Sequence, residues 1–272
     1  MIELVSVFFF LVQLGNSLAV FFLKYSQTMN GVVQIYKHRE IRNASHFVQY
    51  TDPIVQLDLV YSVFTFFVLS STSQLIVTIL YWNQNYVTAV TTRFIEYSLS
   101  ASVMLVCIGV LSGINDLYSL MGLAAAMFAT NSLGLAVHLA MRLTEESSAP
   151  SADSKAKLPP NPYSNILVLW IHGTAWITCI TSYACVLWSF EDAMGASNFA
   201  AKDTVTMIVY AMAAAFLSFG LVQLLDVLYF LGGSTNSENY FVYMGLTYDI
   251  LSVGAKSFLG WSIMMPILQG QW

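Results

Sequence analysis

The chain has 272 residues, of which 57% are hydrophobic and only 9% charged, with a net charge of −5; a soluble domain carries roughly 25% charged residues. So few charges could not cover the surface of a water-soluble globule, and ten basic residues against fifteen acidic ones exclude a nucleic-acid-binding chain and a charge-rich disordered one. What remains is a polytopic membrane protein, in which every charge that falls inside a span is informative.

Crossing the hydrocarbon core takes about 20 apolar residues as a helix. Seven stretches qualify in chain order, roughly residues 4–23, 57–81, 86–112, 117–141, 164–190, 204–231 and 241–267. They are too long, and alternate too little, for the ~10-residue strands of a membrane barrel. The sequence therefore predicts an all-α fold, one seven-transmembrane-helix bundle over residues 1–272 with no internal repeat and no second domain. The first run lacks a basic n-region and a small-residue cleavage site, so it is expected to stay as helix 1 rather than to be removed as a signal peptide. Residues 24–56 are polar and basic (Lys37, His38, Arg39, Arg42), contain the sequon Asn43-Ala44-Ser45, and are expected to form a long loop. Trp82 to Asn85 and Gly113 to Asp116 are short links, which make helices 2, 3 and 4 antiparallel neighbours. Residues 142–163, rich in Ser, Ala and Pro, are expected to form a flexible loop.

Loop charges bear on orientation. The N-terminal side carries Arg142, Lys155 and Lys157, and the opposite side Lys24, Lys37, Arg39, Arg42 and Lys202. By the positive-inside rule that places the N-terminus outside. Cys107, Cys179 and Cys185 fall inside spans without metal-ligand spacing and are expected to be packing residues. Trp82, Trp170, Trp188 and Trp272 sit where interfacial aromatic belts form.

An ionisable group at membrane depth is costly and is a functional hypothesis by default. Helix 3 carries Arg93 and Glu96, helix 7 Asp249 and Lys256, and helix 6 Asp226 near its end. Lys256 lies mid-span, where its amine cannot snorkel to the headgroups. Two readings of it are open: a buried Lys–Glu ion pair that ties two helices, or a desolvated amine that condenses with an aldehyde and then needs a carboxylate counterion, which Glu96 would supply. Arg93, Glu96 and Ser100 are spaced three and four apart on helix 3, and Asp249, Ser252 and Lys256 likewise on helix 7, so two polar faces could line one cavity. Trp176, Phe216, Phe219, Tyr97 and Trp261 could wall an elongated apolar ligand; ordinary packing is the competing reading for each.

Arg93-x-x-Glu96-Tyr97-Ser98 on helix 3, followed by Ser252-x-x-x-Lys256-Ser257-x-x-x-Trp261 on helix 7, resembles the heliorhodopsins. Ala175-Trp176-Ile177 and Gly220-Leu221-Val222-Gln223 fit the same pattern, and the resemblance runs through all seven helices in order. It implies all-trans retinal bound covalently to Lys256 as a protonated Schiff base with Glu96 as counterion. Ser252 would then stand where other microbial rhodopsins keep a second carboxylate. It also implies an inverted orientation with the N-terminus cytoplasmic, against the loop charges, and a homodimer. The histidines that the family usually places in helices 1 and 2 correspond here to Phe10 and Gln74, neither of which takes a proton near neutral pH. Asp249 and Asp226 replace an apolar residue and a glutamine of the pattern, and Glu191 lies at the opposite mouth of the bundle.

Three functions follow as expectations. The first is a light sensor whose photocycle is read by a partner. The second is a light-gated proton conductance in which Asp249, Asp226 and Glu191 mark the two ends of the path. The third is a retinal-free transporter or receptor that uses Lys256 and Glu96 as an ion pair. Enzymatic activity is not expected: His138 and His172 lack a nucleophile and an acid in sequence patterns that catalysis uses, and no Gly-rich phosphate loop or metal cluster appears.

Overall fold

The computed structural model describes residues 2–26, 31–43, 46–147, 162–196, 202–232 and 238–269. Seven helices run α1 (Ile2–Ser26), α2 (Leu59–Trp82), α3 (Tyr86–Leu111), α4 (Leu117–Ser147), α5 (Pro162–Ala196), α6 (Lys202–Leu231) and α7 (Glu238–Leu268). All seven contain spans long and apolar enough to cross a membrane, and the protein is a multi-pass integral membrane protein. Leu4, Phe8, Phe22, Ile177, Leu221 and Leu225 are exposed on the outer faces of their helices, where lipid replaces water. Trp82, Trp170 and Trp188 are exposed as an interfacial belt requires; Trp272 lies outside the described residues.

The expected loop over 24–56 is in part a hairpin. β1 (Val32–Asn43) pairs antiparallel with β2 (His46–Asp58), from Val32 against Asp58 to Asn43 against His46. The register slips by one residue where Ile35 faces Val55 and Tyr36 faces Pro53. A proline has no N–H to give the ladder, so a bulge is where a strand accommodates it. A search for 20-residue apolar runs passes over such a ribbon, because its stability comes from cross-strand pairing and docking rather than from its own hydropathy. The hairpin is pinned to the bundle end: Tyr36 N–H donates to the Asn115 carbonyl at 2.8 Å, Leu59 N–H to that of Gly31 at 2.9 Å, and Ile35 is buried in the main core. Residues 44 and 45 of the sequon lie outside the described residues, as do residues 148–161 of the second expected loop; α4 itself continues past the expected end to Ser147.

Helix 2 starts at residue 59 rather than 57, because Asp58 ends the strand and caps the helix. Its backbone is extended, and its Oδ1 accepts from Val60 N–H at 2.9 Å while its Oδ2 takes a 2.7 Å bond from Lys24. Consecutive helices pack side by side, and α7 closes the ring against α1, α2, α3 and α6. The half of the bundle nearer the hairpin is a dry core built on Phe66, Phe67, Leu105, Ile108, Leu259 and Ile263. The polar interior lies in the other half.

Candidate functional site

Asp249, Ser252 and Lys256 follow one another on α7 at helical intervals and face the same way. Lys256 is 3% exposed. Its Nζ donates to Glu96 Oε1 of α3 at 2.6 Å, to Ser252 Oγ at 2.8 Å and to Ser70 Oγ of α2 at 3.2 Å. Those three bonds use every donor an ammonium has. The Tyr97 ring lies under the nitrogen, 5.2 Å from Nζ to its centroid. A charge so far from water is tolerable only with such compensation.

One turn toward the N-terminal face of α3, Arg93 has a carboxylate of its own. Its Nη2 donates to Asp249 Oδ2 at 2.5 Å, and both side chains are buried. Gln74 Nε2 approaches the same oxygen at 3.4 Å and donates to Ser6 Oγ at 3.0 Å, and Ser6 shares a 2.7 Å bond with Thr78. Arg93 also lies over the Tyr81 ring. Gly245 permits this approach, since a Cβ there would stand 2.6 Å from Arg93 Nη1. Two ion pairs thus tie α3 to α7, and a Ser–Gln–Thr string from α1 and α2 flanks the second.

On the far side of Lys256 an apolar cavity opens between α3, α4, α5, α6 and α7. Met104, Met127, Trp176, Phe216 and Phe219 wall it, and Lys256 stands at its polar end with Ser252 and Tyr97. Gly220 leaves space for Trp176, whose indole would lie 2.8 Å from a Cβ at that position. The Trp176 N–H donates to His172 Nε2 at 2.9 Å, so the indole is held in orientation.

Most residues singled out in the sequence converge here, with five exceptions, Arg93, Trp261, Asp249, Asp226 and Glu191. Ser252, Lys256, Ser100, Trp176 and Phe216 line the cavity, Glu96 meets it through its contact with Lys256, and Ser100 Oγ is buried there without a hydrogen bond among the described residues. Arg93 and Glu96, expected to act together, serve different partners. Trp261 faces α1 instead, where its indole N–H donates to Asn16 Oδ1 at 3.2 Å. Asp249 is committed to Arg93 rather than to the cavity, Asp226 lines a separate small cavity, and Glu191 is exposed at the hairpin end of α5. Ser70, Ser6 and Thr78 escaped the sequence reading. Their signal was present, since Ser70, Gln74 and Thr78 recur every four residues on α2.

A family model described as Heliorhodopsin matches residues 2–268. The chain belongs to the heliorhodopsin family. It is accordingly a retinal-binding, light-responsive membrane protein, with the retinal on a lysine. Its fold is that of solved microbial rhodopsins. The light-driven proton pump Coccomyxa subellipsoidea rhodopsin CsR is 12% identical, with a TM-score of 0.62 over 97% of this chain and 96% of that one. Cyanorhodopsin from the cyanobacterium Tolypothrix sp. NIES-4075 is 13% identical, with a TM-score of 0.64 over 100% of this chain and 98% of that one. No curated protein matches. The heliorhodopsin's residues suit retinal chemically: a buried amine with a carboxylate partner stands at an apolar cavity walled by aromatic rings and methionines.

Proposed function

We propose that this heliorhodopsin is a photoreceptor in which Lys256 carries all-trans retinal and Glu96 is its counter-charge. The observation that carries the reading is the 2.6 Å contact of Lys256 Nζ with Glu96 Oε1 at the mouth of the apolar cavity. Retinal on Lys256 would supply a light-driven isomerisation that shifts the position of the nitrogen and its proton. The protein's own residues then do the rest. Glu96 Oε1 is placed to accept that proton, Ser252 and Ser70 offer hydroxyls that rotate to follow it, and Tyr97 and Trp176 hold the space on either side. Polar groups cluster in one half of the bundle while the other half is dry, which favours a proton that leaves and returns on one side while the bundle changes shape for a partner.

The test is addition of all-trans retinal to the retinal-free protein. A visible band is expected, absent in Lys256→Ala. A band that persists in Lys256→Ala would move the retinal to a different lysine, and no band in the unsubstituted protein would leave the retinal-free transporter or receptor as the alternative.

A second reading, a light-gated proton conductance, is favoured by the carboxylates at both ends, Asp249 and Asp226 toward one face and Glu191 at the other. It requires the dry core around Leu105, Ile108 and Ile263 to part. Voltage-clamp recording under illumination separates the two: a sustained current that reverses with the proton gradient selects conductance, and Glu191→Gln is then expected to reduce it.

The same proposal includes a cytoplasmic N-terminus and a homodimer. A lateral groove between α4 and α5, lined by small residues such as Gly122, Ala126, Thr178 and Ser182, is a surface where a second helix can come close. Accessibility of an N-terminal tag in intact cells and cross-linking in the membrane test these two points.

A further inference from the structure

A second, smaller cavity lies between α3, α4, α6 and α7 on the N-terminal side of Lys256. Phe94, Tyr97 and Tyr248 line both cavities and form the wall between them. Arg93, His138 and Asp226 line the smaller one. Arg93 is 3% exposed and His138 5% exposed. Arg93 Nε and Nη1, and His138 Nε2, make no hydrogen bond among the described residues. Leaving a buried polar atom unsatisfied costs about 1–3 kcal/mol. Three such atoms on one small space, from two helices, therefore point to a polar occupant. The cavity offers about 20 Å³ to water, enough for one molecule.

A carboxylate on the cavity argues against an anion as its occupant. Arg93 is already paired with Asp249 across its other face, and Asp226 brings a carboxylate to the cavity from α6. Arg142 lies one turn further along α4, Tyr97 faces in from α3 and Tyr248 from α7. The neighbouring α4 positions Val137 and Met141 pack on Val168 of α5, so that side is apolar. The Phe94 ring stacks on the imidazole at 6.2 Å and fixes its plane. Across the bundle, the flank of Asp249 formed by Ser6, Gln74 and Thr78 contains no side chain that titrates near neutral pH. Imidazole is the side chain that does.

We propose that His138, a water in this cavity and Asp226 form a proton-holding site that receives a proton displaced from the Lys256–Glu96 pair and exchanges it with the N-terminal face of the bundle. The proton leaves Glu96 Oε1, crosses the shared wall at the Tyr97 hydroxyl, passes by the water to the lone pair of His138 Nε2, and departs by way of the Asp226 carboxylate. A proton from the same face returns by way of Glu96 to the Lys256 nitrogen, and Glu96 is left as the carboxylate it was. Arg93 keeps its own protons throughout and orients the water by donation from Nε and Nη1. This rests on the light-driven proton displacement proposed above, and the test separates the two.

The first measurement needs no retinal. In protein labelled with ¹⁵N-histidine and held in lipid nanodiscs, the His138 signal is identified by its loss in His138→Gln and followed between about pH 3 and 8. It is expected to change protonation state across that range, with a midpoint that moves in Asp226→Asn. A signal that stays constant, or an identical titration in Asp226→Asn, overturns the site. The second uses the retinal-loaded protein, a flash and a pH-indicator dye. His138→Gln is expected to keep the visible band and slow proton release by about tenfold or more, and His138→Ala with added imidazole to recover the rate. Unchanged release kinetics overturn the assigned path. If the unsubstituted protein shows no proton release, the displacement proposed above fails, while the titration still decides whether the site exists.

Discussion

At the scale of single residues, the roles turn on which buried charge faces which. Glu96 is the carboxylate beside Lys256, and Asp249, the next nearest on the same face of α7, is held by Arg93. Glu96→Gln therefore removes the negative charge that compensates the nitrogen. In the retinal-loaded protein at neutral pH the visible band is expected to shift or give way to near-ultraviolet absorption, which a spectrum checks; an unaltered spectrum would move the counter-charge to Asp249. Lys256, Glu96 and Ser252 were legible because a charge in the middle of an apolar run cannot be ignored. Ser70 was not. Hydroxyls are inexpensive in a membrane helix, where they bond back to the carbonyl one turn earlier, as Thr78 does to Gln74 at 2.8 Å. Nothing in such a residue's own sequence context separates that use from a contact with a lysine on another helix.

At the scale of elements, α3 and α7 are joined by two buried ion pairs, and removing one partner of such a pair leaves an uncompensated charge, a loss of about 3–5 kcal/mol. Asp249→Asn, which keeps an acceptor for Arg93 Nη2 but not the charge, and Asp249→Ala are both expected to lower the thermal unfolding temperature in detergent, the alanine variant by more. Equal losses would show that the charge itself, rather than the hydrogen bond, holds the helices. The start of α2 offers a contrast. Asp58 caps the helix and meets Lys24, but the pair is partly exposed, so the cap dominates. Asp58→Ala is expected to cost about 1 kcal/mol, and Asp58→Asn much less, measured by the same unfolding experiment. The hairpin is the element that hydropathy missed, because a ribbon of mixed polarity announces itself only by pairing, and its register depends on where Pro53 falls.

At the scale of the whole molecule, the bundle divides into a polar half and a dry half. Ile108, fully buried among Leu105, Leu111 and Ile263, belongs to the dry half. Ile108→Asn buries an amide there, and an unpartnered buried amide costs about 1–3 kcal/mol in protein mutational data. A lower unfolding temperature is expected, together with an unchanged visible band, because the substitution leaves the cavity residues in place. A shifted band would show that the two halves are coupled in the dark state.

Composition and hydropathy by themselves determined that the chain crosses a membrane as seven helices and that Lys256 is a charge in the middle of the last of them. Both follow from local terms: the length needed to span hydrocarbon, and the cost of desolvating a charge wherever it packs. Helical periodicity further assigned Asp249, Ser252 and Lys256 to one face. Only the tertiary structure decided that Glu96 meets Lys256 while Arg93 turns to Asp249, that Trp261 faces Asn16 instead of the cavity, and that His138 shares a small space with Arg93 and Asp226. Those pairings join residues up to 245 positions apart. They depend on how far each helix is rotated and shifted along its axis against its neighbours. That is set by the packing of all seven helices together and not by the sequence of any one.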